Sequence, residues 1–418
     1  MRKIFINVKE ILKAEKNPQE RVCGKDMSEI SRIEKAFLII EDEKIVDFGE
    51  MNNFDSSAYN SKEIELIDLK NEQYIFPAFV DSHTHIVYAD NREKEFVDKI
   101  KGLSYEEIAK RGGGILNSAQ KLHEATEDEL FTQAKKRLEE MMQLGTCAVE
   151  IKSGYGLNTH DELKMLRVIK KLQEKMPLTI VPTFLGAHAV PNDYKGRQTE
   201  YVDMVINEMI PIVASENLAD FIDVFCDRGF FTVEETDRIL NAGMKYGLRA
   251  KIHANELDYS GGVQVGVKYN ALSVDHLEFM GDKEINSLKN SETMPTILPG
   301  TAFFLGLPYS PARKMIEAGL PIAMASDYNP GSSPSGNMKF IMSMACAKYK
   351  LLPEEALNAI TQNTAYAMNI ADSHGSISPG KYANLIVTKP IPSFEFFPYA
   401  FGDNLIDSVY IKGKLISN

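Results

Sequence analysis

Between residues 79 and 326 the chain repeats one texture eight times: a short apolar run, then a longer segment of mixed polarity. The runs are 79–86, 146–151, 178–185, 221–225, 248–253, 271–276, 293–298 and 321–326. A strand with one wet face alternates apolar and polar residues. These runs are close to continuously apolar, which predicts a parallel sheet covered on both faces. The intervening segments carry helix signals. Thr126-x-x-Glu129, Thr159-x-x-Glu162 and Thr232-x-x-Glu235 read as capping boxes, and Gly145 and Gly247 stand where the first and third helices should stop. Eight such units predict a (β/α)8 TIM-like barrel. An open doubly wound sheet is the alternative, but no G-x-G-x-x-G follows an early strand.

The two ends have a different texture. Residues 1–76 read as short strands and turns, with a hairpin of 36–40 and 44–48 around a polar turn at 41–43 and a weak helical period near 26–35. After the eighth run, 336–347 and 353–370 read as helices, and strand-like runs return at 383–387 and 407–411. The fold class is therefore α/β: a barrel over 77–372, with a small β-sandwich domain built from 1–76 and 373–418. A chain of 418 residues with 44% hydrophobic and 25% charged composition is long enough for both.

Charge and cysteine usage exclude several classes. The formal net charge is -12 and no Lys/Arg cluster stands out, so no nucleic-acid partner is expected. No run of about 18 apolar residues occurs, so no membrane span is expected. The N-terminal apolar run is too short for a signal peptide. Cys23, Cys147, Cys226 and Cys346 are widely spaced and read as reduced thiols of a cytoplasmic protein.

Barrel active sites form where strands end. The first run ends in His83-Thr84-His85, and residues two apart on a strand share a face about 6–7 Å apart. His188 follows the third run, His253-Ala254-Asn255-Glu256 ends the fifth, Asp275-His276 the sixth and Ser326-Asp327 the eighth. Of eight histidines, His123, His160 and His374 alone fall elsewhere, on helices or loops, and read as solvated or packed. His83, His85, His253 and Asp327 offer three nitrogens and one carboxylate, a donor set suited to zinc or ferrous iron with room for water. The fourth run has no Lys to bridge a second metal, so one ion is expected. Glu256 is placed for proton transfer, and His276 for orienting water or polarising a carbonyl. Arg92 can clamp a carboxylate, Tyr155 in Lys152-Ser153-Gly154-Tyr155-Gly156 adds a hydroxyl, and Asn329, Gly331 and Ser332 offer donors to an anionic group.

On these residues the chain resembles the amidohydrolase superfamily, and the C-terminal 378–387 stretch fits too, with Asn384 where the family usually has Asp. Within it the chain is similar to the imidazolonepropionase family. The carrying motifs are Arg92, 111–115, 150–157, 184–188, 253–256 and 326–331. The resemblance implies a hydrolase acting on carbon–nitrogen bonds of cyclic amidines and amides, converting 4-imidazolone-5-propanoate to N-formimino-L-glutamate in histidine degradation. It implies one zinc or iron ion per subunit on His83, His85, His253 and Asp327, and allows a homodimer. Arg92, Tyr155, His188, Glu256, Asn329, Gly331 and Ser332 would contact substrate or product, with His188 on the ring carbonyl oxygen. Glu256, His276 and Asp327 would manage protons while water attacks the ring amidine carbon. The alternatives are another cyclic-amidine hydrolase, such as a purine or pyrimidine aminohydrolase, or a non-catalytic scaffold relative. Arg92 and Tyr155 argue against the first, and the complete ligand set against the second.

Overall fold

The computed structural model describes residues 2–55, 64–103, 107 and 113–416. The eight apolar runs form the eight parallel strands of one sheet: β6 (Phe79–Asp81), β7 (Thr146–Lys152), β8 (Thr179–Ala187), β9 (Phe221–Cys226), β10 (Arg249–Ala254), β11 (Ser273–His276), β12 (Met294–Ile297) and β13 (Ala323–Met324). They neighbour one another in chain order, and every pairing is parallel. Almost every strand residue is buried, as both-face coverage requires.

The first and eighth strands are shorter than expected, and the seam between them explains why. They do not meet in a regular ladder. Instead the Asp81 carboxylate accepts the Ser326 N–H at 3.0 Å and its hydroxyl at 2.5 Å. Asp327 then donates its N–H to His83 O at 3.0 Å, and His85 to Tyr328 O at 2.9 Å. Closure thus runs through the residues that carry His-x-His and Ser-Asp. Asp327 and His276 both adopt positive φ, at 53° and 84°. Side chains there leave the strand path and turn over the barrel mouth.

The termini combine into a second eight-stranded sheet. Its members are β1 (Arg2–Leu12), β2 (Arg32–Glu41), β3 (Lys44–Glu50), β4 (Ile64–Asp68), β5 (Tyr74–Pro77), β14 (Leu385–Thr388), β15 (Ile406–Ile411) and β16 (Lys414–Ile416). The order is β16-β15-β14-β5-β1-β2-β3, with β4 also on β1. β1 pairs in parallel with β4 and β5, and the other pairings are antiparallel. The hairpin of 36–40 and 44–48 is present within β2 and β3. The weak helical period near 26–35 is not realised as an α-helix: Gly24–Ser28 is one 3-10 turn and Arg32 already belongs to β2. One residue, Ala78, separates β5 of this sheet from β6 of the barrel. Phe76 and Phe79 on either side pack on Phe397, with ring centroids 5.0 and 6.4 Å away. Asn384 Oδ1 accepts the Lys412 N–H at 2.8 Å, a bond that an Asp would make equally.

Two of the three capping boxes form: Thr126 caps Glu127–Gln143 and Thr232 caps Val233–Lys245, each reciprocated by its Glu. The third does not. Asn158 caps Thr159–Lys175 by accepting the Asp161 N–H at 2.9 Å. Glu162 turns away instead, accepting N–H groups from Gly154, Gly156 and Leu157 at 2.7–3.1 Å. The expected 353–370 helix is two, Pro353–Ala359 and Gln362–Ala367, broken at Thr361. The four cysteines are unpaired. Among the described residues no helix is long and apolar enough to cross a membrane.

Candidate metal centre and active site

Strand periodicity decides what points into the barrel. Glu150 and Lys152 on β7, Lys251 and His253 on β10, and Ser273 and Asp275 on β11 are each two residues apart, so each pair shares a face. Asp223 on β9 and Thr183 on β8 join them. All but His253, at 2%, are at most 1% exposed. Lys152 Nζ lies 2.5 Å from Glu150 Oε1 and 2.8 Å from Asp223 Oδ2. Lys251 Nζ pairs with Glu150 Oε2 and donates to Ser82 O at 3.1 Å. Buried charges of this kind persist only when paired and hydrogen-bonded. Burial opposes ionisation of Asp223, yet the His253 ring and Lys152 hold its pKa well below the usual carboxylate range.

This network carries the histidines. His83 Nδ1 lies 2.7 Å from Asp275 Oδ2, and His253 Nδ1 lies 3.0 Å from Asp223 Oδ1. A carboxylate accepts, so both Nδ1 atoms carry a proton, which leaves Nε2 as the atom of each ring able to offer a lone pair to a metal. Those Nε2 atoms converge on His85 Nε2, at 3.2 Å from His83 and 3.4 Å from His253. Burial, then the Lys152 cation, holds His83 well below its usual pKa; burial, then His188, does the same to His85. The three ligand nitrogens lie within 4.8 Å of one another. Asp327 Oδ1 stands 3.5 and 3.6 Å from the Nε2 atoms of His83 and His85, while its other oxygen accepts from Thr301. With His85 Nε2 unprotonated as well, three lone pairs converge, an arrangement that a cation between them would stabilise. His85 Nδ1 is buried with no partner among the described residues. The donor chemistry therefore fits a divalent metal.

Above the histidines opens a cavity of about 410 Å³. Every other candidate site residue lines it; His83, fully buried, lies beneath. Burial raises Glu256 to about 7. His276 is raised against its own burial by the carboxylates of Glu256 and Glu278, each 3.7 Å from His276 Nδ1. The backbone under Glu256 is fixed by Asp227, whose Oδ2 accepts the N–H groups of Glu256 and Leu257 at 2.7 and 3.0 Å. Burial raises the Tyr155 phenol, so it remains a neutral hydroxyl.

His188 presents itself differently from expectation. Its Nδ1 lies 2.9 Å from Gly154 O, which only accepts, so Nδ1 is protonated and Nε2 is an acceptor. Burial lowers its pKa to about 3 and keeps it neutral. In that state Nε2 cannot donate to a carbonyl oxygen; it suits a ring N–H. Gly154 is a glycine for the same contact: its φ is 113° and a β-carbon would lie 2.8 Å from His188 Nδ1. The 327–333 loop also differs from a set of free donors. Asn329 Oδ1 accepts the N–H groups of Gly331 and Ser332, both at 2.8 Å. Asn329 Nδ2 donates to Asp327 O and Ser332 Oγ, both at 2.7 Å. Asn329 thus shapes the loop with all its polar capacity engaged.

Arg92 donates from Nε and Nη2 to Glu95 Oε2 at 2.9 and 2.7 Å. Glu95, Asp223, Asp227 and Thr301 carry no expectation from the sequence, and Asp275 only that of a strand-end residue beside His276. For Asp223 and Asp275 a signal exists: a lone carboxylate inside an otherwise apolar run. Arg111 and Gly112 of the 111–115 motif lie outside the described residues. Of the remaining histidines, His160 is exposed, His123 Nε2 lies 2.7 Å from Gly156 O, and His374 is buried between Ser373 and Thr179 hydroxyls.

Comparison with known proteins places this geometry. A family profile described as "Amidohydrolase family" matches residues 74–416. The chain is 55% identical to the imidazolonepropionase of Flavobacterium johnsoniae over 98% of each chain. It is 53% identical to that of Flavobacterium psychrophilum over 100% of each. Among solved structures it is similar to Escherichia coli guanine deaminase, with a TM-score of 0.71 at 16% identity, covering 100% of this chain and 99% of that one. At that identity the likeness speaks for the fold alone.

Proposed function

The chain belongs to the amidohydrolase family, and on that footing we propose that it hydrolyses 4-imidazolone-5-propanoate to N-formimino-L-glutamate, a step of histidine degradation. The observation that carries this reading is one cavity holding three converging histidine nitrogens at its floor and a guanidinium clamp on its wall. The name borne by full-length relatives agrees with it.

One zinc or iron ion on His83, His85, His253 and Asp327 would supply a water of lowered pKa and a positive charge beside it. The chain's own residues do the rest. The product dictates the bond that breaks. Its new carboxylate is the former ring carbonyl carbon, and its formimino group retains the amidine carbon. Water therefore adds to the carbonyl carbon, and the bond from that carbon to the ring nitrogen breaks. Attack at the amidine carbon, expected from the sequence, is corrected on this ground: it would give a formamide and a primary amide instead. Glu256, with its raised pKa, takes the proton of the attacking water and returns it to the departing nitrogen. His276, kept protonated by the carboxylates behind it, donates to the carbonyl oxygen. Asp327 holds the water's second hydrogen. His188 Nε2 accepts a ring N–H, and Arg92 and Tyr155 hold the propanoate.

The test is formation of N-formimino-L-glutamate from 4-imidazolone-5-propanoate by purified protein. Turnover should be lost on chelation and restored by zinc or ferrous ion, with elemental analysis reading one ion per chain. Turnover of purines or pyrimidines without turnover of the imidazolone would overturn the proposal.

A further inference from the structure

The expected clamp for the propanoate, Arg92, is less charged toward the cavity than its residue type suggests. Two of its donors engage Glu95 Oε2. Glu95 is itself held by the Gly114 N–H at 3.1 Å and Asn117 Nδ2 at 3.0 Å, so the pair is fixed from both sides. Seen from the cavity, Arg92 and Glu95 sum to no net charge. Such a pair orients a carboxylate through hydrogen bonds, but it offers little net attraction to offset the loss of its water.

A second cation stands beside it. Arg92 stands just before the helix Glu93–Ile100, and Lys99, two turns along and four residues beyond Glu95, lines the same cavity. Lys99 is about half-buried, and burial followed by the Arg92 charge lowers its pKa. Its Nζ makes no hydrogen bond or ion pair among the described residues. Its charge feels Glu95, one helical turn back, as well as Arg92, and it lies over the Phe304 ring, 5.9 Å from the centroid. The same cavity is also lined by the apolar side chains of Ile115, Phe230 and Leu305. An ammonium on a cavity wall with no hydrogen bond or ion pair among the described residues can take a counter-ion from a ligand.

We propose that Lys99 is a specificity-determining residue that binds the substrate's propanoate carboxylate jointly with Arg92, supplying the net positive charge that Glu95 removes from Arg92. Arg92 sets the direction of the carboxylate and Lys99 its sign. The inference rests on the proposed reaction, because it assigns the anion that the cavity takes.

The experiment compares wild type with Lys99→Met and Lys99→Gln, on imidazolonepropanoate and on its carboxamide analogue, at low and high salt. On the carboxylate substrate KM should rise about tenfold or more with kcat within about twofold, and the salt dependence of kcat/KM should flatten. On the carboxamide the variants and wild type should match. Lys101→Met, an exposed lysine two residues on, should change neither. Unchanged KM on the carboxylate, or an equal loss on the carboxamide, would overturn the role of Lys99. Failure of the wild type to release formiminoglutamate would instead overturn the proposed reaction, so the two failures read differently. Circular dichroism and Tm of both variants exclude a folding defect as the cause.

Discussion

The Arg92 guanidinium lies against the backbone of Gly331: a β-carbon on Gly331 would stand 2.0 Å from Nη1. The contact joins the loop after the first strand to the loop after the eighth. It explains a glycine in a loop where no left-handed backbone demands one. In Gly331→Ala the flexible end of Arg92 has to move, not the fold. KM for the propanoate substrate should rise about tenfold, close to 1.4 kcal/mol of lost binding, with kcat and Tm nearly unchanged. A fall in kcat with KM preserved would show that the contact serves the chemistry instead.

The pairing of Asp275 with His83 and of Asp223 with His253 sets which nitrogen of each ring faces the centre. Asp275→Asn or Asp223→Asn should therefore weaken metal retention by about 10–100-fold, measured by competition with a chelator of known affinity. Wild-type affinity in both would remove these carboxylates from the argument.

Lys152→Met tests the layer below. It leaves Glu150 and Asp223 without their shared cation in the barrel interior. Breaking a buried pair by removing one partner costs roughly 3–5 kcal/mol, so denaturant unfolding should show a loss of that order. A loss below about 1 kcal/mol would mean that water or rearrangement satisfies the carboxylates.

Glu256→Gln keeps the shape and removes the proposed proton acceptor. kcat should fall by about 10²–10⁴ with KM and metal content preserved. Retained kcat in a metal-loaded variant would reassign the proton transfer.

His374 offers a pH test away from the active site. It is buried between Ser373 and Thr179, and burial lowers its pKa from 6.5 to about 3. The unfolded chain binds the proton below about 6.5, the folded chain only near 3. Stability contributed by neutral His374 is thus present above pH 6.5 and lost as pH falls toward 3. The slope approaches about 1.4 kcal/mol per pH unit in that window. His374→Gln should flatten the wild-type dependence of unfolding free energy between pH 4 and 6. An unchanged slope would place the acid sensitivity elsewhere.

The barrel was legible because its signals are local. Apolar runs such as 146–151 and 221–225, and caps such as Thr126 and Thr232, depend on neighbours within a few residues. The histidines were legible for the same reason, since they stand where runs end. Glu162 misled because two hydrogen-bonding tasks competed for one carboxylate, and loop N–H groups from 154–157 won.

Sequence alone determined the alternation of strands and helices, the donor set at the strand ends and the family resemblance. Each follows from residue type and short spacing. Tertiary structure decided which partners those residues meet. His83 finds Asp275 across 192 positions and Lys251 finds Glu150 across 101, because barrel closure brings distant strands together. It decided that His188 presents an acceptor, since Gly154 O claims its proton. It decided as well that Glu95 pairs with Arg92, while Lys99 has no ion pair among the described residues. Proton position and net charge depend on what lies within a few ångströms, and no spacing along the chain specifies that.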